Sequence, residues 1–151
     1  MIPSLELANV ELNKAAILNP GLWVQHSMNV AEGARLIASR CDGLDEKMAY
    51  VFGLLHDIGR KVGFVAKRHI WEGYQYMTEM GWFEVARICL THSFPIKNID
   101  MDLSKDDLLK DERDYIRWYL SKIEYDDYDK LIILCDSLAD AKGFCLLEKR
   151  F

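Results

Sequence analysis

Apolar residues recur along this chain at the three- and four-residue spacing of amphipathic helices, and no stretch shows the alternation typical of a strand. Glycines, prolines and short polar runs separate the periodic stretches. The pattern predicts helices over residues 4–18, 22–40, 45–58, 69–80, 82–92, 108–123 and 126–147. The first of these is short and weakly patterned. The sequence therefore predicts an all-α single domain of six or seven helices over residues 1–151.

Residues with capping chemistry stand at several predicted helix boundaries. Asp45 can cap the start of the third helix, and Gly59 is placed to end it. Residues 60–68 form a predicted loop, and residues 104–107 have the composition of a helix start. These boundaries leave the predicted helices joined by short connections, with no linker long enough to divide two domains.

Composition narrows the class of protein. A chain of 151 residues, 50% hydrophobic and 28% charged, can bury the core of one globular domain. The formal net charge of −5 argues against a protein that coats nucleic acid, but it leaves a small phosphate substrate open. No apolar run reaches the roughly 20 residues that span a bilayer, and the N-terminus lacks a signal-peptide pattern. We therefore expect a cytoplasmic protein with no membrane partner.

The four cysteines carry no sign of a metal or disulfide framework. Cys41, Cys89, Cys135 and Cys145 include no CxxC pair, so a cysteine zinc site is not expected. We expect reduced, mostly buried thiols, as is usual in the cytoplasm.

The placement of the histidines is the main chemical signal. The sequence has only four, and each falls on or beside the inward face of a predicted helix, or at a helix end: His26, His56, His69 and His92. Taken singly, each has an ordinary explanation, as a hydrogen-bonded core residue, a helix-terminal residue or, for His69, a surface residue. Four separate buried histidines would each need a hydrogen-bonding solution. One metal cluster would satisfy them together.

Two aspartates support the same hypothesis. Asp57 directly follows His56 at the end of an apolar helix, and Asp136 interrupts the apolar stretch from Ile132 to Leu138. A buried carboxylate needs a cation, a donor network or a metal as its partner. A structural ion pair remains the alternative for each.

These residues, in this order, resemble the HD-domain metal-dependent phosphohydrolase superfamily. The resemblance covers roughly residues 22–141, most of the chain, and implies an HD-domain helical bundle. The matching segments are Gln25-His26-Ser27, Leu54-Leu55-His56-Asp57-Ile58-Gly59, His69, Thr91-His92-Ser93 and Cys135-Asp136. The ordered set is far more specific than a lone His-Asp pair.

The resemblance implies a site with two divalent transition metals. It assigns one ion to His26, His56, Asp57 and Asp136. His69 and His92 match the additional ligands of the two-metal branch, with Asp57 bridging. Such mixed imidazole and carboxylate ligands suit Fe, Mn, Co, Ni or Zn, and the sequence does not choose among them. Two metals would position a phosphate and activate water for its hydrolysis.

The loop after the His-Asp pair carries four basic residues: Arg60, Lys61, Lys67 and Arg68. All four are predicted to bind substrate phosphate, and Asp57, Arg60 and Lys61 are assigned catalytic roles; a solvated loop is the alternative. Arg60 stands where the related cyclic-dinucleotide phosphodiesterases often have lysine. Their Gly-Tyr-Pro signature is also absent, so their specificity is not carried over.

Five aromatic residues could stack on a base of the substrate or belong to the core: Trp23, Trp71, Tyr74, Tyr76 and Trp82.

The resulting prediction is a phosphohydrolase, a phosphomonoesterase or phosphodiesterase, that acts on a small phosphate ester such as a nucleotide or dinucleotide through metal-activated water. Two alternatives stay open. Diiron oxygenases similar to myo-inositol oxygenase share this ligand order, and a non-catalytic module could hold a nucleotide without turning it over. The sequence leaves the natural substrate, the metal, the oligomeric state and the pathway open.

Overall fold

The computed structural model describes residues 1–146, and this part of the chain forms a mostly helical single domain. Two 3-10 helices, Ile58–Val62 and Ile99–Met101, lie between α-helices. Two short strands, β1 (Ala139–Asp140) and β2 (Gly143–Phe144), pair in an antiparallel hairpin. The α-helices are α1 (Leu5–Leu18), α2 (Leu22–Ala38), α3 (Glu46–Leu55), α4 (Arg68–Glu79), α5 (Phe83–Thr91), α6 (Lys110–Lys122) and α7 (Asp127–Leu138). The prediction of an all-α domain of six or seven helices is confirmed.

The end of the last helix differs from the prediction. Helix α7 ends at Leu138 rather than near residue 147, which lies outside the described residues. Ala139 leaves the helix with an extended backbone, φ −100° and ψ 146°. The amide of Cys145 then donates to the Leu138 carbonyl at 2.7 Å, which closes the hairpin. Asp140, which falls inside the predicted helix over residues 126–147, therefore lies in β1.

The end of the third helix also differs. Helix α3 ends at Leu55, and Gly59 is not its cap but a buried residue of the following 3-10 helix. A Cβ on Gly59 would stand only 1.9 Å from the carbonyl oxygen of His69. Glycine is needed here because two backbone segments touch, not because a helix ends.

No helix starts at residues 104–107. Asp102 and Asp106 accept hydrogen bonds from backbone amides two residues later, those of Ser104 at 2.8 Å and Leu108 at 3.2 Å. These local turns compete with helix formation, as short acidic side chains commonly do. Helix α6 begins at Lys110, where the Glu112 carboxylate accepts from the Leu109 amide.

Close packing of α2 against α3 forms the centre of the main core. A Cβ on Gly53 would stand 2.6 Å from the Cα of Ala31, so these two helix backbones are in direct contact. The predicted cap at Asp45 is present and accepts from the Met48 amide at 2.7 Å. A second apolar cluster packs α6 against α4 and α5 through Ile70, Leu90, Phe94, Ile99, Leu108, Ile116 and Leu120.

No helix in the described part of the chain is both long and apolar enough to cross a membrane. All four cysteines are free thiols. Cys89 and Cys135 are buried, Cys145 is half-buried and Cys41 is exposed.

Candidate metal centre

The six predicted ligands lie on five different helices or at their ends, and the fold brings them together. His26 is in the second turn of α2, and Asp136 is in the last turn of α7. His56 and Asp57 link α3 to the 3-10 helix Ile58–Val62, and His69 is the second residue of α4. His92 caps the C-terminus of α5.

Helix ends and one close contact hold these side chains in place. The buried Leu54 and Leu55 fix the end of α3 in the core, and His56 follows directly as the C-terminal cap of this helix. The contact between Gly59 and the backbone of His69 fixes the first turn of α4 against the segment that carries Asp57. The local sequence thus positions the His-Asp pair and His69 as one unit.

Asp57 lies at the centre of the cluster. One carboxylate oxygen, Oδ1, is 3.2 Å from Nε2 of His69 and 3.3 Å from Nε2 of His92. The other oxygen, Oδ2, is 3.7 Å from Nε2 of His56 and accepts a hydrogen bond from Nε of Arg60 at 2.8 Å. The Nε2 atoms of His69 and His92 are themselves 3.3 Å apart. Asp57 therefore faces histidines on both sides, as a bridging carboxylate would.

Asp136 completes the opposite side of the cluster. Its Oδ1 is 2.7 Å from Nε2 of His26 and 3.5 Å from Nε2 of His56. His26, His56 and Asp136 thus approach one another although the carboxylate is 110 residues from His26 in sequence.

The backbone fixes the orientation of three imidazoles. Nδ1 of His56 donates to the Gly53 carbonyl at 2.6 Å, and Nδ1 of His92 donates to the Cys89 carbonyl at 2.9 Å. Nδ1 of His69 likewise faces the Ala66 carbonyl. A carbonyl only accepts hydrogen bonds, so each Nδ1 carries the hydrogen and each Nε2 of a neutral ring presents its lone pair to the cluster.

The charges of the cluster favour cation binding. Burial raises the pKa of Asp57, but the surrounding histidines and Arg60 outweigh burial and hold this pKa well below its ordinary value. Burial lowers the pKa of His56, but the carboxylates of Asp57 and Asp136 outweigh it and raise this pKa to about 9. Burial prevails at His69 and lowers its pKa to about 4, so this ring is neutral at pH 7. Burial raises the pKa of Asp136 as well, but its contacts with His26 and His56 outweigh burial and hold this pKa below its ordinary value. Both carboxylates are therefore ionised at pH 7 and attract cations.

These residues fit a divalent transition metal. Nε2 of His56 is fully buried and makes no hydrogen bond in the described structure. This nitrogen lies 3.5 Å from an oxygen of Asp136 and 3.7 Å from an oxygen of Asp57. A divalent cation bound among them would displace the proton of the His56 ring and satisfy all three groups. Three sets of ligand atoms meet within 4.8 Å: His26 with His56 and Asp57, His56 with His92 and Asp136, and Asp57 with His69 and His92. The buried histidines and aspartates are therefore able to bind metal.

The four basic loop residues take different positions. Arg60 is one-third exposed and lines the cavity above the cluster. The Nζ of Lys61 lies 3.0 Å above the ring centre of Tyr76, and this lysine does not line that cavity.

Lys67 and Arg68 also make contacts within the fold. Nζ of Lys67 is buried and donates to the carbonyls of Asp102 at 2.9 Å and Ser104 at 2.6 Å. The Arg68 guanidinium pairs with both carboxylate oxygens of Glu112, at 2.7 and 2.9 Å. Only Arg60 of the four is positioned to reach a ligand in this cavity, and phosphate binding by the other three finds no support in their contacts.

Sequence reasoning missed several residues that line the cavity. The cavity has a volume of about 390 Å³, and its walls include Leu22, Asp140 and Ala141, beside Ser93 of the matching segment Thr91-His92-Ser93. Trp23, which appeared only as one of five candidate stacking residues, lines it as well. Its position three residues before His26, on the same helical face, was the available signal. Asp140 reaches the cavity through the unpredicted hairpin.

Fold and site together define an all-helical protein with a buried histidine and aspartate cluster that is able to bind metal. A family model described as HD domain matches residues 23–141. The chain belongs to the HD-domain family, and this membership places it in the superfamily of metal-dependent phosphohydrolases. Comparisons with curated proteins and with solved structures found no match.

Proposed function

We propose that this protein is a metal-dependent phosphohydrolase that acts on a small phosphate ester, such as a nucleotide or dinucleotide. One observation carries the proposal: the Nε2 atoms of four histidines and the carboxylates of Asp57 and Asp136 converge at the floor of an open cavity. A purely structural cluster would pair these groups with hydrogen-bond donors. A site open to solvent can instead bring a substrate to bound metal.

The two oxygens of Asp57 support two metal positions. Oδ1 faces His69 and His92, whereas Oδ2 faces His56. His26 and Asp136 lie beside His56 and would complete the metal position on the Oδ2 side. Asp57 would be shared by both.

The chemistry is divided between metal and protein. Divalent metal held by these histidines and aspartates would supply activated water and would stabilise the charge that develops on a phosphoryl group. The protein orients the ligands through their Nδ1 hydrogen bonds, which set ring geometry in metal sites. Arg60 holds Asp57 in position and presents its guanidinium at the cavity wall, where it can contact a phosphate oxygen. Lys61 is not assigned a role because it packs on Tyr76.

The test compares Asp57→Ala with a matched control, Asp127→Ala. Asp127 is a highly exposed aspartate on α7, and its pair with Lys130 is loose at 3.5 Å. Metal content is measured on purified protein, and hydrolysis of p-nitrophenyl esters and nucleotides is measured anaerobically with added Mn²⁺, Co²⁺ or Ni²⁺. We expect Asp57→Ala to lose metal and to lower turnover by roughly 10³-fold or more, because the bridging ligand is gone. The control should match the wild type.

Retention of full metal content and turnover in Asp57→Ala would contradict the proposed mechanism. Hydrolysis under anaerobic conditions with manganese would exclude an oxygenase. Oxygen uptake by an iron-loaded protein that hydrolyses no phosphoester would favour one. Tight nucleotide binding without product would indicate a binding module.

A further inference from the structure

The cavity above the metal centre continues past it as a groove. A second cavity of about 390 Å³ shares Arg60, His69, His92, Ser93 and Asp136 with the first. The two diverge from this shared floor. The first extends along Leu22, Trp23 and Asp140, which we call the Trp23 arm. The second extends along Pro95, Asp102 and Ser104, which we call the Asp102 arm. The predicted ligands therefore lie in the middle of the groove.

Each arm leads to a further cavity with an apolar wall. The Trp23 arm meets a cavity of about 290 Å³ that it shares through Leu22, Trp23 and Arg60. The Asp102 arm meets one of about 250 Å³ that it shares through Ser93, Pro95 and Asp102. These two end cavities have no lining residue in common. Phe64 at one end and Leu103 at the other are almost completely exposed. A substrate can therefore extend in two directions from a phosphorus atom at the centre.

The charge of the groove limits what it can hold. Among the described residues that line these four cavities, Arg60 is the only lysine or arginine, and it is already paired with Asp57. Each arm instead carries a carboxylate, Asp140 in one and Asp102 in the other. These carboxylates repel further phosphates. The arms are thus suited to uncharged groups.

Phosphate esters differ in the properties that this groove selects. A phosphomonoester is largely a dianion near neutral pH and has one organic substituent. A phosphodiester is a monoanion with two substituents. We propose that the substrate is a phosphodiester with two uncharged arms, one of which is a flat apolar group in the Trp23 arm. This inference rests on the proposed phosphohydrolase function and names its substrate class.

Trp23 is a positioned stacking surface. Its indole Nε1 donates to the Asn19 carbonyl at 2.8 Å, which holds the ring at the start of α2. The ring lines both the metal cavity and the apolar end cavity. Flat apolar groups, including bases, stack on such rings with little sequence preference.

The reaction balances as a hydrolysis. The oxygen of water forms a bond to phosphorus while one ester P–O bond breaks. One proton of that water ends on the leaving alcohol, and the other is released as the acid proton of the monoester product. No oxidant, reductant or further reactant is needed.

The test uses the manganese-loaded full chain and substrates that share one leaving group. Bis(p-nitrophenyl) phosphate and p-nitrophenyl phosphate are compared at pH 7. We expect kcat/KM to be about tenfold or more higher for the diester, because only it fills both arms with a single negative charge. An equal or higher value for the monoester would overturn the diester proposal and leave the phosphohydrolase function intact. Hydrolysis of neither ester would overturn both.

Variants of Trp23 test the stacking arm. Trp23→Ala should lower the preference for bis(p-nitrophenyl) phosphate over methyl p-nitrophenyl phosphate by about tenfold, and Trp23→Phe should retain most of it. Trp118→Ala is the matched control, since Trp118 is half-exposed on α6 and lines none of the groove. A preference that is unchanged in folded Trp23→Ala protein would overturn the assignment of a flat group to this arm.

Discussion

Asp129 and Asp57 are both buried carboxylates in contact with residues of α5 or its C-terminal cap, yet their partners differ. Asp129 is completely buried at the start of α7. Its carboxylate accepts from the Arg87 guanidinium through both oxygens, from the Thr91 hydroxyl at 2.8 Å and from the Asp126 amide at 2.9 Å. Every partner of Asp129 is a hydrogen-bond donor supplied by the protein.

Asp57 has a different set of neighbours. Apart from Arg60, the groups closest to its oxygens are imidazole Nε2 atoms, whose rings already donate from Nδ1 to the backbone. One of the neighbouring nitrogens, Nε2 of His56, makes no hydrogen bond at all in the described structure. Burial of a charged group alone therefore does not identify a functional site. The protein itself supplies every partner in the Asp129 cluster, whereas the Asp57 cluster has the groups to bind a cation.

The largest expected loss of stability comes from a substitution in the Asp129 cluster. Asp129→Asn should lower the free energy of unfolding by about 3–5 kcal/mol, because it removes the completely buried negative charge that pairs with Arg87 and turns an amide donor toward groups that themselves donate. Urea denaturation measures this, with Asp127→Asn on the same helix as the control. A loss under about 1 kcal/mol would show that the Asp129 cluster is not a major source of stability.

Metal that binds at the Asp57 cluster should raise the free energy of unfolding of the protein. At a free metal concentration 100–1,000 times the dissociation constant, the wild type should gain about 2.7–4.1 kcal/mol of unfolding free energy. The gain should vanish in Asp57→Asn and persist in Asp129→Asn, measured as the shift of the urea midpoint with and without a chelator. A gain that depends on Asp129 rather than Asp57 would reverse our assignment of the two clusters.

The contact at Gly59 links stability to the metal centre. Gly59→Ala should cost about 1–3 kcal/mol because its Cβ would overlap the His69 backbone, and it should also weaken metal binding by displacing that ligand. Gly43→Ala is the control: Gly43 has φ +84° but no atom near its missing Cβ, and it is remote from the cluster. It should lose stability without losing metal affinity. Equal metal affinities in both variants would show that the contact at Gly59 does not influence metal binding.

The smallest expected loss of stability comes from the ion pair between Glu112 and Arg68, which is less buried than the Asp129 cluster. The hydrogen bonds from Arg68 outweigh burial and hold the pKa of Glu112 below its ordinary value of 4.5. A lowered folded-state pKa means that the stabilisation is present above pH 4.5 and is lost as the pH falls through the folded-state pKa. Glu112→Gln should cost about 1 kcal/mol at pH 7 and flatten this acid dependence. The exposed Glu124→Gln should do neither, as pH-dependent urea curves would show.

The periodicity of apolar residues was sufficient to predict the helices, because each buries one face against the others. It failed where other interactions decided a boundary. The end of α7 depends on a hairpin bond between Leu138 and Cys145, and residues 104–107 form turns through Asp102 and Asp106. Gly59 had the right residue type for a cap, but its role depends on contact with the backbone of His69, ten residues later in the first turn of α4.

The six candidate ligands could be selected from sequence because buried histidines are chemically unusual and their order is specific. The roles of the individual basic residues could not be predicted from the sequence. Lys61, Lys67 and Arg68 share the loop of Arg60, but tertiary partners direct them to Tyr76, to backbone carbonyls and to Glu112. The two arms of the groove join residues from α2, the hairpin and residues 93–104, and no local pattern connects these segments.

Metal stoichiometry tests the central claim most directly. Protein loaded anaerobically with manganese and freed of excess metal is analysed for bound ions per chain, in the wild type, His26→Gln and His69→Gln. We expect two ions in the wild type and one in each variant, since His26 belongs to the ligand set with His56 and Asp57, whereas His69 belongs to the set with Asp57 and His92. A wild type that binds no metal, or variants that keep both ions, would contradict it.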